Sequence, residues 1–415
     1  MKKNSNKIIY FDYASATPID KKVSKLITLY NNKYFANPSS IHKSGIVIRQ
    51  IIENARLKIS KLLYAHPDEI IFTGSGTQSD ALAVLGIINY WKLKIGNNKE
   101  GKVPHIITTT IEHPAVLENC RKLEKNGYAE VTYISPDSEG VINVNEIKEA
   151  LKENTVLISV MYANNEIGTV QPIRDIAKAI RHFRKSRKSE NQFYFPVLHS
   201  DACQAMNYLE VENIEKLGVD LLTFNGSKIY GPKGVGILFK KRGVTIEPFY
   251  EGGGQEFGLN SGTENASLIA ATALALEQTI KIKAKESLRL ISLRDYGIKK
   301  LLELSNIYGY KIILNGSAEN RLPNNINISI LGISSELLVI ELDAQGIEVS
   351  AKSACKSDEP DESYVITALR KAQNTVSNTT DGSIRISLGR QTTKKDIDYL
   401  VLSLKDILTK YIRWK

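Results

Sequence analysis

Ile70-Ile71-Phe72-Thr73-Gly74-Ser75-Gly76-Thr77-Gln78-Ser79 opens as an apolar run, breaks at two glycines, and passes into a second apolar stretch reaching about residue 93. Branched and aromatic residues over 70–73 suit a buried strand, and the longer stretch from 78 suits a helix. Glycine permits the tight turn between them, while Ser and Thr cap helix starts. The N–H groups of such a turn converge, and the helix start adds positive potential. The stretch therefore reads as strand, phosphate seat and helix, although an ordinary capped turn would share the pattern. It is not a Walker loop, because no Gly-Lys-Ser/Thr follows.

The alternation continues toward the C-terminus. Strands are expected at 105–109, 130–134, 155–160, 195–199 and 219–224, with helices at 114–125, 143–152 and near 174–184. Apolar strands alternating with helices predict an α/β fold, a mostly parallel sheet covered by helices on both faces. Ligands of such sheets gather beyond the carboxyl ends of the strands, which is where this chain places its polar clusters. The pattern changes near 264. A long helical stretch over 264–302 leads into strands near 312–314, 325–330, 347–350 and 383–388, with helices near 336–344 and 394–411. These pieces predict a smaller α+β domain. The expected boundaries are a large domain at 19–273 and a small domain made of 1–18 and 274–415.

With 415 residues, 42% of them apolar, the chain can build two domains with a sizeable core. No run approaches the ~20 apolar residues of a membrane span. Ile8-Ile9-Tyr10-Phe11 is too short for a signal-peptide core, so a cytoplasmic protein is expected. Cys120, Cys203 and Cys355 are the three cysteines, none in a C-x-x-C pair, which argues against a zinc site or a disulfide framework. Cys120 and Cys203 sit in regular-looking segments and read as core filler. Cys355 sits in Ser350-Ala351-Lys352-Ser353-Ala354-Cys355-Lys356-Ser357, a small, polar stretch that reads as a solvent-facing loop. Lys352 and Lys356 would favour its thiolate, the nucleophilic form. The net charge of +10 includes one dense run, Arg181-His182-Phe183-Arg184-Lys185-Ser186-Arg187-Lys188. No nucleic-acid recognition motif accompanies it, so direct nucleic-acid binding is not expected; an anionic cofactor or acidic protein partner suits the charge equally.

The clusters at the strand ends carry the chemistry. Lys228 lies in Thr223-Phe224-Asn225-Gly226-Ser227-Lys228-Ile229-Tyr230-Gly231-Pro232-Lys233-Gly234, between short polar residues and a glycine-rich turn. A lysine used for Schiff-base chemistry must be held and partly desolvated so that its free amine is accessible. Asp201 follows an apolar strand; a buried aspartate needs a cationic or N–H partner, and a protonated pyridine nitrogen would be one. His113, in Ile111-Glu112-His113-Pro114, is either a helix-start residue or a ring lying over another planar ring. Asn164-Asn165-Glu166 is either a turn or a set of oriented hydrogen-bonding groups. A lysine, an aspartate, a phosphate seat, an imidazole and an amide at the ends of one sheet together fit pyridoxal phosphate.

Nearly end to end, the chain resembles the cysteine desulfurases, in the class V aminotransferase group of fold-type I pyridoxal-phosphate enzymes. The likeness runs from Phe11-Asp12-Tyr13-Ala14-Ser15-Ala16-Thr17-Pro18 to Ile384-Arg385-Ile386-Ser387-Leu388-Gly389-Arg390. Asn37-Pro38-Ser39-Ser40-Ile41-His42, Asn164-Asn165-Glu166-Ile167-Gly168, Gly252-Gly253-Gly254-Gln255-Glu256, Ser261-Gly262-Thr263-Glu264-Asn265 and Ser353-Ala354-Cys355 also carry it. The resemblance implies pyridoxal 5'-phosphate as cofactor and L-cysteine as substrate, with alanine and a persulfide on Cys355 as products. By motif, Lys228 would carry the cofactor and move the α-proton, and Asp201 would pair the ring nitrogen. Gln204 and Asn165 would address the phenolic oxygen. His113 would stack on the ring and manage protons. Gly76, Thr77, Asn225 and Ser227 would hold the phosphate. Thr263 would reach the phosphate of a neighbouring subunit, which implies a homodimer. Asn37 and Arg385 would bind the substrate carboxylate, for which the guanidinium fork is suited. No metal is implied. The Ser-Ala-Cys form implies a longer, travelling cysteine loop that passes sulfur to an acceptor protein, an iron–sulfur scaffold or a tRNA-thiolation enzyme. The chain departs from the family pattern at Ser227, usually His, which removes a potential cation beside the phosphate; Phe257 and Asn260 stand where arginines are common. Selenocysteine lyase or aminotransferase chemistry, a non-catalytic scaffold and a tRNA-binding module are the alternatives left open.

Overall fold

The computed structural model describes residues 8–94, 103–186, 195–351, 363–375 and 382–412. A short β1 (Ile9–Tyr10) precedes α1 (Lys21–Lys33) and α2 (Lys43–Leu62). Strand and helix then alternate through β2 (Ile70–Thr73), α3 (Gly76–Lys94), β3 (His105–Thr109), α4 (Pro114–Lys125), β4 (Glu130–Ile134) and α5 (Val144–Ala150). They continue with β5 (Thr155–Ser159), α6 (Ile173–Ser186), β6 (Val197–Asp201), the single turn α7 (Ile214–Leu217), β7 (Leu221–Asn225) and β8 (Gly236–Lys240).

Seven of these strands form one sheet in the order β2-β8-β7-β6-β5-β3-β4. β8 runs antiparallel to both neighbours, and the other pairs are parallel. The expected α/β class is therefore observed, with β8 as an antiparallel member that the sequence reading did not assign. Successive side chains of a strand point to opposite faces, and both faces here are apolar. Ile70, Phe72, Ile107, Ile158, Leu198 and Leu222 face α1, α2, α6 and the helix that follows the sheet. Ile71, Ile106, Leu157, Val197 and Leu221 face α3 and α4. A sheet covered on both sides explains why its strands read as unbroken apolar runs. One strand starts later than expected: β6 begins at Val197, after Pro196, which has no N–H to give the ladder. Asp201 is consequently its last residue rather than the residue after it.

The 43-residue α8 (Ala266–Tyr308) runs unbroken through residue 273. Its first half packs Ala266, Ile269 and Leu276 on the large sheet. Its second half packs Leu290, Leu301 and Leu304 on a separate core. That core is built by β9 (Ile312–Leu314), β10 (Asn325–Ile330), α9 (Ser335–Asp343), β11 (Ile347–Glu348), β12 (Ser383–Ser387) and α11 (Lys394–Ile412). β12-β10-β9 is an antiparallel sheet, and β11 pairs in parallel with β1. Between β11 and β12, α10 (Tyr364–Ala372) packs Val365, Ile366 and Leu369 onto the large core. No helix among the described residues is long and apolar enough to cross a membrane.

The N-terminal segment joins the two cores at one place. Phe11 O accepts from Ser387 N at 2.7 Å, and farther on Thr17 N donates to Ser227 O at 3.0 Å. Residues 12–16 thereby cross the carboxyl ends of the central strands.

Candidate active site

A cavity of about 260 Å³ opens at those strand ends, between the sheet, the N-terminal segment and β12. Gly76, Thr77, His113, Asn165, Asp201, Gln204, Asn225, Ser227, Lys228 and Arg385, all singled out in the sequence, line it. Asn37 and Thr263 do not line it; both are solvent-exposed in the single chain, and the Asn37 side chain accepts from Ser39 N at 2.8 Å. Cys355 lies outside the described residues. Ser350 and Ser363 on either side of it are tied to the cavity wall. Ser350 exchanges backbone hydrogen bonds with Arg385, and Ser363 Oγ donates to Glu166 beside Asn165 at 2.5 Å.

Lys228 ends a short helical turn, Gly226–Lys228, whose start is capped by the Asn225 side chain. Asn225 Oδ1 accepts from Lys228 N at 3.2 Å and from Ser227 Oγ at 2.9 Å. The Lys228 carbonyl is gripped by Asn207 Nδ2, and its ammonium donates to the carbonyls of Ala14, at 2.8 Å, and Ser15. The amine is thus half-buried and held at the cavity wall in part by two backbone carbonyls, and a lysine used for Schiff-base chemistry must be held and partly desolvated in this way.

At one end of the cavity stands an acidic pair. Val197, His199 and Asp201 share one face of β6, and that face meets α3, which brings in Asp80. Asp80, Asp201 and His113 each offer an atom within 4.8 Å of the others. Burial, reinforced by the charge of Asp201, pushes the Asp80 carboxyl well above the usual carboxylate range. One negative charge rather than two is therefore left to face the cavity here. Asp201 Oδ1 is held in place by Cys203 N at 2.8 Å. His199 lies 3.5 Å from Asp80, but burial pushes its imidazole down to about 4, so the two form no ion pair near neutrality.

His113 is the helix-start residue of one reading, and it also lines the cavity. It caps α4 by accepting from Ala115 N at 3.1 Å. Acceptance at Nδ1 places the proton of the neutral ring on Nε2. The asparagine pair likewise divides its work. Asn164 forms the turn, accepting from Glu166 N at 2.8 Å and Ile167 N at 3.0 Å, while Asn165 faces the cavity.

At the opposite end is Arg385, 1% exposed. It donates to Asp12 Oδ1 and Ser15 Oγ at 2.6 Å each and to Asn165 O at 3.1 Å. Three buried polar atoms on the wall, Arg385 Nε, Asn165 Oδ1 and Asp80 Oδ1, find no hydrogen-bond partner among the described residues. Such atoms normally have partners, so the cavity is built for a polar guest.

Several wall residues had no role in the sequence reading, Ala14, Ser15, Asp80 and Lys233, nor had Asp12, which holds Arg385 from behind the wall. Cys203, read there as core filler, is buried but also lines the cavity, with its Sγ accepting from Asn225 Nδ2 at 3.3 Å. The departures from the family pattern find structural roles. Asn260 donates to Phe72 O at 2.9 Å and accepts from Gln78 Nε2 at 2.8 Å, tying its loop to the 73–78 turn. Phe257 lies 5.0 Å from the guanidinium of Arg56.

Glu112, next to His113, gives a pH prediction. Its Oε1 accepts from Thr109 Oγ1 at 2.8 Å and Met161 N at 2.9 Å, and burial pushes its carboxyl up to about 8. A carboxyl with a raised folded pKa keeps its proton in the folded state and loses it in the unfolded state. Stability is therefore full below about pH 4.5 and falls as pH rises toward 8, by about 1.4 kcal/mol per unit at the steepest. Thermal melts of Glu112→Gln should show a flatter slope between pH 5.5 and 8 than the parent; an unchanged slope would assign the charge elsewhere.

Comparison with known proteins agrees with this geometry. The family model for class-V aminotransferases matches residues 9–400. A cysteine desulfurase IscS of Dictyoglomus turgidum is 41% identical over 403 residues, covering 97% of this chain and 95% of that protein. IscS 1 of Archaeoglobus fulgidus is 38% identical, covering 96% of each. Among solved structures, a NifS-like protein superposes with a TM-score of 0.84 at 32% identity over 97% of this chain and all of its own. SspA in complex with cysteine superposes with a TM-score of 0.73 at 30% identity, over 92% of this chain and 98% of its own.

Proposed function

Because this chain belongs to the class-V aminotransferase family and is a cysteine desulfurase within it, we propose that the cavity binds pyridoxal 5'-phosphate and that Cys355 receives sulfur from L-cysteine. The observation that carries the reading is that one cavity is lined by Lys228, Asp201 and Arg385 together and that several of its buried polar atoms have no partner among the described residues. The residues present fit the cofactor. A β-carbon at Gly76 would come 2.6 Å from Asn225 Nδ2, so glycine alone leaves the α3 start open beside Asn225 and Ser227. Gly76, Thr77, Asn225 and Ser227 would hold the phosphate, Asp201 the ring nitrogen, Asn165 and Gln204 the phenolic oxygen, and Lys228 the aldehyde carbon.

Pyridoxal phosphate supplies an electron sink for the carbanion left when an amino acid loses its α-proton. The chain supplies the rest. Arg385 receives the substrate carboxylate, and Asn37 would assist from a second subunit. Lys228 takes the proton from the substrate Cα. Asp201 keeps a negative charge at the ring nitrogen, and Asp80 stays neutral behind it. His113 offers Nε2–H to the substrate side chain. The Cys355 thiolate attacks the substrate sulfur: a sulfur–sulfur bond forms, the carbon–sulfur bond breaks, and its electron pair stays with the carbon skeleton, which is protonated to alanine. Cysteine and the Cys355 thiol thus become alanine and a Cys355 persulfide, with no outside oxidant.

A homodimer completes the proposal. Thr263 and Asn37 are exposed, and Phe35 and Ile41 nearby are 87% and 92% exposed. Light scattering should return twice the chain mass, and Thr263→Ala should weaken cofactor retention. The persulfide then passes to an acceptor protein, an iron–sulfur scaffold or a tRNA-thiolation enzyme. The direct test is incubation with L-cysteine and a thiol reductant, measuring alanine and sulfide together. Equal amounts are expected, and alanine without sulfide would overturn the assignment.

A further inference from the structure

Lys233 has no role in the reaction as derived above. It sits in the turn between Lys228 and β8, and that turn forms one side of the cavity with Gly234 and Val235. Its place is set by strand register. Thr73, Gly236 and Asn225 stand side by side across β2, β8 and β7. Directly beyond them lie Ser75-Gly76-Thr77, Ser227 and Lys233-Gly234-Val235. The three segments are in close contact. A β-carbon at Gly236 would fall 2.1 Å from Ser75 O, and one at Gly226 would fall 2.5 Å from Pro232 O. The turn is therefore packed against the same loops that form the phosphate seat.

The charge of that seat is incomplete without it. Its side-chain donors, Ser75, Thr77, Asn225 and Ser227, are all neutral. A phosphate monoester carries about −1.5 to −2 at pH 7, and the start of α3 offsets only about half a charge. The other permanent cations of the wall are engaged elsewhere. Arg385 is paired with Asp12 at 2.6 Å, and Lys228 is held by Ala14 and Ser15. The ammonium of Lys233 is claimed by no described residue.

Resting on the pyridoxal-phosphate reading above, we infer that Lys233 is the cation of the phosphate seat in this chain, supplying the positive charge that Ser227 does not. Its exposure makes the contribution moderate and sensitive to salt.

The test compares two aldehydes on the full-length protein stripped of cofactor, pyridoxal 5'-phosphate and pyridoxal, with binding followed by absorbance. Lys233→Gln should weaken the phosphorylated aldehyde by roughly three- to fivefold and leave pyridoxal within about 1.5-fold. Lys233→Arg should restore the preference, and added salt should narrow the gap between parent and Lys233→Gln. Equal weakening of both aldehydes, or no weakening of either, overturns the inference. A parent protein that binds neither aldehyde refutes the cofactor assignment itself, whereas one that binds normally while Lys233→Gln matches it refutes Lys233 alone.

Discussion

Lys228→Ala should fold, stay colourless, and lose desulfuration by about 10³-fold or more, because in the proposed mechanism one side chain both holds the cofactor and moves the substrate proton. The structure argues that the loss will be chemical. The Lys228 ammonium makes hydrogen bonds to the carbonyls of Ala14 and Ser15. Losing two such bonds costs about 1 kcal/mol each, which lowers the melting temperature by a few degrees without unfolding a chain of this size. The turn itself is held by backbone and by Asn207 and Asn225, which the substitution leaves untouched. The check is borohydride reduction followed by peptide mapping. The parent should yield a pyridoxyl group on the peptide containing Lys228, and the variant none. An adduct on a different lysine of the parent would end the proposed mechanism, whatever the variant does.

How much of this was legible depends on whether a residue's partner is local. The strands of the central sheet stood out because both faces are covered, so Thr155-Val156-Leu157-Ile158 has no polar alternation to blur it. β8 is equally apolar but follows directly on Gly231-Pro232-Lys233-Gly234, and it read as the tail of the Lys228 motif rather than as a strand. Asn225-Gly226-Ser227-Lys228 announced itself through glycine and small polar residues that only a tight turn requires. Asp80 did not, since an aspartate on a helix ordinarily faces water; only the parity of β6 shows that it meets Asp201. Asp12 and Ser15 gain their role from Arg385, some 370 positions away, with 2.6 Å contacts that no local pattern encodes. Asn37 and Thr263 carry the opposite lesson. Their motifs are plain in the sequence, yet a single chain leaves both exposed and away from the cavity, so no contact within the chain gives them a role.

Cys355→Ser should bind cofactor and melt like the parent while losing sulfur transfer by about 10³-fold or more, as expected when a nucleophile is removed. The two remaining cysteines cannot take its place. Cys120 is fully buried in the α3–α4 layer, where burial pushes its thiol up to about 12. Cys203 is the sharper comparison, because it lines the cavity itself. Burial first, and then the carboxylates of Asp201 and Asp80, hold its thiol well above the usual range. Near neutrality it stays protonated, and the thiolate is the form that attacks sulfur. Proximity alone would favour Cys203, whereas charge favours a cysteine flanked by Lys352 and Lys356. Ser350 is tied to Arg385, and Ser363 to Glu166 beside Asn165, so the described residues on either side of the Cys355 segment are anchored at the Arg385 end of the cavity. Mass spectrometry after brief exposure to L-cysteine, with thiols alkylated, distinguishes the two. One added sulfur should appear on the Cys355 peptide of the parent and on neither cysteine of Cys355→Ser. Sulfur on Cys203 in the parent would move the nucleophile into the cavity and require a base there, a task incompatible with the role proposed for Asp201 at the cofactor ring nitrogen.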